Sequence, residues 1–267
     1  MPRRLPVALG LAATGALLVR AYRKQQHVER LAAAVLEALL NAIEANDPDT
    51  GMHLRRTAAR ALVIADAAGL DARGQAAVER VALFHDIGKI YGAMFDIVHG
   101  TTKLTEAQRR RVVTHPARGA NVLAPLAAFY PELPAGVLSH HERWDGTGYP
   151  RGLRGSRIPI EARITAIADT FDAVAQTRSY RLGRGPDVAL DVIARGRGTQ
   201  CDPELVDLVL LPPVARHIAS VRLSRHMLHG RRRSREHERV PDISFRWRTP
   251  SLVSLGARGI PAMGRVD

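Results

Sequence analysis

The chain has 267 residues, enough to bury a full core as one domain with extensions, and its 46% hydrophobic content includes only 4% aromatics, which favours small-residue helix packing. A single cysteine, Cys201, excludes an internal disulfide framework and a cysteine-rich zinc site, so any metal must be held by His, Asp and Glu. The net charge of +13 lies in the flanks: residues 1–30 carry six Lys/Arg against Glu29, and residues 216–267 carry twelve Arg against four acidic residues. That leaves 31–215 formally neutral and disfavours a nucleic-acid-binding core.

Residues 1–26 open with a basic cluster and an apolar run from Leu5 to Val19, a candidate membrane-anchor or targeting helix. As a helix those fifteen residues rise only about 22 Å, short of the ~30 Å hydrocarbon core. An anchor here would place the protein in the cytoplasm at the inner face of the membrane; a soluble N-terminal helix is the plain alternative. Next, Val28, Leu31, Val35, Leu39 and Ile43 fall on one helical face. The segment 27–45 is also where a homodimer would form. In "QAAVERVALFHDIGK", Val78, Val81, Ala82 and His85 share a face, which predicts a helix through the stretch.

"LTEAQRRRVVTH" starts a helix at the Thr105 cap, and Pro116 interrupts it just after His115. "PIEARITAIADTFDAVAQT" is helical through Ile164, Ile167, Ala168, Phe171 and Val174, and "DPELVDLVLL" is a last short helix. No alternating strand pattern and no internal repeat is present, so residues 27–215 are predicted to be all-α. From 216 onward Arg, Gly, Pro and Ser accumulate and periodicity fades, which predicts a flexible basic tail over 216–267.

Eleven histidines divide unevenly. Four lie in the tail, and His27 and His99 have no acidic or histidine neighbour. His53, His85, His115, His140 and His141 remain, each on or beside a predicted helix. Taken alone, His85 on its apolar stripe reads as a core histidine bonded to a carbonyl. Asp86 beside it and Lys89 one turn on change that reading, because a carboxylate, an imidazole and an ammonium facing one cavity suit phosphate chemistry. In "SHHERWDGTGYP" Gly146 and Gly148 permit a tight loop that presents Tyr149, and Trp144 reads as packing. Thr165, Asp169, Asp172 and Gln176 form a polar stripe that could equally face water.

"ALFHDIGK", "THPARGANVL", "SHHERWDGTGYPRGL", "RITAIADTFDAV" and "TRSYR", in that order, resemble the HD-GYP family of metal-dependent phosphodiesterases, a branch of the HD superfamily. The likeness covers roughly residues 45–210. It implies an HD-type helical bundle with a metal centre between helices, holding two divalent ions or three, with iron or manganese favoured. Carried over by position, it makes His53, His85, Asp86, His115, His140, His141 and Asp169 metal ligands. Asp49 stands four residues before His53, where three-metal members carry a glutamate that is one methylene longer.

The same resemblance makes Arg178 and Arg181 contacts to a cyclic dinucleotide; the chemistry of phosphodiester cleavage suggests catalytic roles for Asp86 and for Lys89, which would also meet a phosphoryl or leaving oxygen, while Tyr149 could either stack on a base of the substrate or only pack the loop. The implied activity is hydrolysis of cyclic di-GMP to pGpG or GMP by a hydroxide shared between ions. Two departures bear on substrate more than on metal: Gly100 stands where a lysine is usual, and Ser179 where a proline is frequent. A phosphohydrolase for another cyclic dinucleotide or nucleotide, and a non-catalytic nucleotide-binding scaffold in signalling, are the competing readings.

Overall fold

Most helices begin where a capping side chain or a proline makes a beginning cheap. Asp47 caps α2 (Pro48–Ala67) by accepting from the Asp49 N–H, and Asp71 caps α3 (Ala72–Phe84) by accepting from that of Gly74. Thr105 and Gln108 form a capping box at the start of α4 (Glu106–Val112). Pro116 sits in the first turn of α5 (His115–Leu123) and Pro186 in that of α8 (Pro186–Arg195), where the missing N–H costs nothing. Asp202 caps α9 (Pro203–Val209), and α10 (Pro212–Ser220) again starts on proline. The remaining helices are α1 (Leu5–Asn46), α6 (Glu132–Ser139) and α7 (Ile160–Ala175).

The structure, a computed structural model, describes residues 5–90, 105–177 and 182–221, with side chains from Leu18 onward. No β-strand occurs among the described residues, only an isolated bridge between Arg197 and Cys201, so the all-α expectation is borne out. Two units are distinguished, one holding residues 1–30 and the other beginning at Leu31. In the first, the described residues are the leading part of α1. Among the described residues no helix is long and apolar enough to cross a membrane. The expected tail begins inside α10, and residues 222–267 lie outside the described residues.

Within the second unit, α2 packs on α3 and α7, while α3 also touches α6 and α7. Helix α5 lies against α6 and against a 3-10 turn at Ile87–Lys89. Leu54, Ile64, Val78, Val81, Phe84, Val137, Ile164, Ile167 and Phe171 fill the space between these helices with almost no exposure. Each such side chain contributes roughly 1.5–3 kcal/mol of burial. This shell holds the short helices in place, which matters because their ends carry the histidines.

The structure corrects three expectations. In α1 the buried face is Ala32, Ala33, Leu36, Leu40 and Ile43, whereas Leu31 and Val35 are about half exposed, at 53% and 48%. An alanine-rich helix has apolar residues on both sides, so periodicity alone does not choose its inner face. Helix α3 ends at Phe84 and does not run through Lys89. The helix begun at Thr105 stops at Val112 and does not reach His115, which instead opens a second helix with Pro116 in its first turn. Helices α2, α6, α8 and α10 had no clear sequence signature: α2 interleaves Arg55, Arg56 and Arg60 with its apolar residues, and α6 spans eight residues including Pro134 and Gly136.

Candidate metal centre

Three histidines owe their position to the ends of short helices. The last carbonyls of a helix lack an internal donor. His85, just after α3, places Nδ1 2.8 Å from the Ala82 carbonyl, and His140, just after α6, places Nδ1 2.7 Å from that of Val137. His115 does the same with Val112, near the end of α4, at 2.6 Å. A carbonyl only accepts, so each Nδ1 carries the proton and, in the neutral ring, each Nε2 is a bare lone pair. All three imidazoles are buried.

These lone pairs meet carboxylates and one another. His115 Nε2 and His140 Nε2 are 3.1 Å apart, and Asp86 Oδ1 stands 3.3 Å from the former and 3.9 Å from the latter. Asp86 Oδ2 faces the other way, 3.5 Å from His85 Nε2 and 3.9 Å from His53 Nε2. Asp169 Oδ1 is 3.3 Å from His53 Nε2. Two clusters result: Asp86, His115, His140 and His141, and beside it His53, His85 and Asp169, the donor atoms of each lying within 4.8 Å of one another. Asp86 offers one oxygen to each cluster. The break after Phe84 is what allows this, because the turn lets the adjacent His85 and Asp86 face one centre.

The donor set fits divalent cations. His85 Nε2 and Asp86 Oδ1 are buried without a hydrogen-bond partner, an arrangement that is costly unless something else satisfies them. Acceptors facing acceptors at about 3 Å repel unless a cation sits among them. Burial, then the charges of His115 and Lys89, drive His141 down to about 3; burial also lowers His85 and drives His140 well below its ordinary value. These rings are therefore neutral and able to ligate near pH 7. Burial works against ionisation of Asp86, but Lys89, whose Nζ is 2.7 Å from Oδ2, and the histidines outweigh it and hold its carboxyl well below the usual range. Asp169 is likewise lowered, by His53 and His85, against the opposing effect of burial. For His53, burial opposes the charged form, yet Asp169 and Asp172 together raise its pKa.

The His141 ring completes the first cluster and is stacked on Tyr149, with centroids 4.9 Å apart and planes inclined at 28°. Tyr149 reaches it because the loop after the histidine pair is folded back hard. Its N–H donates to the His141 carbonyl at 3.2 Å. The buried Glu142 carboxylate accepts from the N–H groups of Arg151 at 2.7 Å and Leu153 at 2.9 Å. A Cβ on Gly148 would lie 2.3 Å from the Arg143 nitrogen and 2.6 Å from the His141 oxygen, so only glycine fits there. Trp144 packs beneath the Arg163 guanidinium, as anticipated.

Of the residues expected from sequence, His53, His85, Asp86, His115, His140, His141 and Asp169 come together, with Lys89 bonded to Asp86 and Tyr149 against His141. Asp49 lies exposed in the first turn of α2 and belongs to neither cluster. Arg178 and Arg181 lie outside the described residues. Sequence reasoning missed Asp172 and Glu142. Half of the stripe that could have faced water is turned inward: Thr165 and Asp172 are fully buried, while Asp169 and Gln176 are partly exposed.

The HD domain family profile matches residues 37–205, more than half of the chain. The chain belongs to the HD domain family. A cyclic di-GMP phosphodiesterase response regulator of Xanthomonas campestris is 37% identical to this HD domain over 193 residues, covering 72% of this chain and 50% of that protein. A 3'3'-cGAMP-specific phosphodiesterase of Vibrio cholerae is 37% identical over 175 residues, covering 64% of this chain and 38% of that protein. The chain thus spans half or less of the length of these relatives. A crystal structure of a cyclic GMP-AMP specific phosphodiesterase of V. cholerae shares the HD fold, with a TM-score of 0.50 at 19% identity over 70% of this chain and 53% of that one.

Proposed function

We propose that the protein is a metal-dependent phosphodiesterase that hydrolyses cyclic di-GMP to pGpG or GMP and carries two divalent ions, iron or manganese. The observation that carries this reading is the pair of donor clusters sharing Asp86, whose imidazole lone pairs and carboxylates converge from distant segments. His53, His85 and Asp169 would hold one ion and His115, His140 and His141 the other, with Asp86 between them. Nitrogen and oxygen donors without thiolate suit such ions. Bound there, they supply Lewis acidity toward a phosphoryl oxygen and a water acidic enough to serve as nucleophile near neutral pH.

The chain's own residues supply the rest. Lys89, partly exposed and held by Asp86, offers an ammonium to a phosphoryl or leaving oxygen as negative charge develops there. Tyr149, fixed over His141, offers a ring face on which a guanine can stack. Arg178 and Arg181 are assigned to phosphate oxygens or a guanine edge, for which guanidinium forks are suited. The curated cyclic di-GMP phosphodiesterases, 32–37% identical over about 70% of this chain, support the substrate.

A second reading, another cyclic dinucleotide as substrate, is favoured by one specific observation: relatives of similar identity are named for 3'3'-cGAMP. Purified protein loaded with Mn(II) or Fe(II), offered each dinucleotide separately and followed by chromatography of the linear product, decides between them. Cleavage of cyclic di-GMP that disappears in His140→Ala supports the proposal. Preference for cGAMP selects the second reading, and bound metal with no hydrolysis of either dinucleotide overturns the enzyme in favour of a nucleotide receptor.

A further inference from the structure

His53 differs from the other buried ligands in where it sits. His85, His115 and His140 follow helix ends and lean Nδ1 on a carbonyl three residues back. His53 lies inside α2, where the preceding carbonyls are spent on the helix's own ladder. Its Nδ1 must therefore find an acceptor elsewhere, and it finds Asp172 Oδ2 at 2.7 Å, delivered from α7 one turn beyond Asp169. Asp172 has no exposure, and a lone carboxylate there would be prohibitively desolvated.

Two arginines from the same face of α2 compensate it. Arg56, three residues after His53, donates Nε to Oδ1 at 2.7 Å and Nη2 to Oδ2 at 3.0 Å. Arg60, one turn further, donates Nη1 to Oδ1 at 2.5 Å and Nη2 to the Val221 carbonyl at 3.3 Å, with its guanidinium over the Phe171 ring. Oδ1 is engaged by arginines alone, while Oδ2 is divided between His53 and Arg56.

We propose that Asp172 is a positioning residue for the metal site: it fixes the His53 ring so that Nε2 faces Asp86 and Asp169, and Arg56 and Arg60 hold the carboxylate in register. The inference rests on the two-ion reading above and concerns only the site of His53, His85 and Asp169. Asp172 touches neither His115, His140 nor His141, so its loss acts on one site of the pair.

The test is titration of the full-length protein with Mn(II), free ion being followed by electron paramagnetic resonance, for wild type and Asp172→Asn. Wild type binds two equivalents. In the variant one equivalent weakens about 10–100-fold, the usual effect of losing a carboxylate behind a ligating histidine, while the other keeps its affinity. The spin-coupled signal of a neighbouring ion pair gives way to that of a single ion at matched metal concentration. Two equivalents at wild-type affinity in a folded variant overturn the proposal, and so does equal weakening of both sites, which marks a purely structural role. Arg56→Gln, which leaves the Arg60 contact in place, covers the case in which Asp172→Asn does not fold: a smaller shift confined to the same site is expected, and no shift overturns the proposal. Fewer than two equivalents in wild type removes the two-ion reading itself, a failure distinct from an unaltered variant.

Discussion

Gly88→Ala places a methyl where the turn bearing Asp86 meets the helix bearing His115. A Cβ at position 88 would lie 2.0 Å from the His115 carbonyl oxygen, 2.9 Å from its carbon and 2.7 Å from the Gly119 nitrogen. All three are backbone atoms, so no side chain can swing aside. Gly88 is not among the residues with positive φ, and the demand for glycine is therefore one of space. Restoring an ordinary contact, from 2.0 Å to 3.4 Å, moves the turn and α5 apart by about 1.4 Å. Asp86 Oδ1 and His115 Nε2 are now 3.3 Å apart, and a displacement of that size takes one of them out of reach of a shared ion.

Overpacking of this kind costs about 1–3 kcal/mol, and an error of ~1 Å in a reacting geometry costs on the order of 10²-fold in rate. Thermal unfolding, metal analysis and cyclic di-GMP turnover should show a lowered Tm, substoichiometric metal and turnover reduced about 100-fold. A Gly88→Ala protein with wild-type Tm and full metal content would refute the claim that this close approach sets the site.

Lys89→Ala should lower turnover by roughly 10²–10³-fold with metal content retained if the ammonium acts on the substrate as proposed; parallel loss of metal and turnover would contradict that role. Tyr149→Ala should raise KM by about tenfold or more, the loss expected when a base–aromatic stack of ~1–3 kcal/mol is removed, and an unchanged KM would reduce the ring to packing. For pH, His85, His140 and His141 have folded pKa values below the 6.5 of the unfolded imidazole, so the unfolded chain takes up protons that the folded chain refuses. Their contribution is complete above pH 6.5 and is lost as pH falls toward the folded values, about 3 for His141. His53, raised, acts in the opposite sense, its contribution being present below pH 6.5 and lost above its folded value. Three groups against one make the metal-free protein less stable at pH 5 than at pH 7, by up to ~1.4 kcal/mol per group per pH unit, with a shallower slope in His141→Gln; a flat Tm over that range would contradict this.

The candidate ligand set was legible because reactive residues of the right kinds recur in one order, and the structure gathers all seven. What was not legible is the support behind them. Asp172 looks in sequence like a surface carboxylate on a polar stripe, and only the stacking of α7 on α2 reveals that it faces His53, Arg56 and Arg60. Two readings of His85 turn out to be compatible: it is a core histidine bonded to a carbonyl through Nδ1, and its unpartnered Nε2 is free to serve as the ligand proposed above. The α3 stripe gave the right inner face but not the helix end, because Ile87 continues the apolar pattern into the turn. In α1, alanines on both sides left the choice of buried face to tertiary packing.

The most direct measurement is an anomalous-difference map from crystals of the protein loaded with manganese or iron. Two peaks are predicted on either side of the Asp86 carboxylate, one among His53, His85 and Asp169 and the other among His115, His140 and His141. A single peak away from Asp86, or ordered side chains in these positions with no peak in a metal-saturated crystal, would contradict the shared centre on which the proposed chemistry depends.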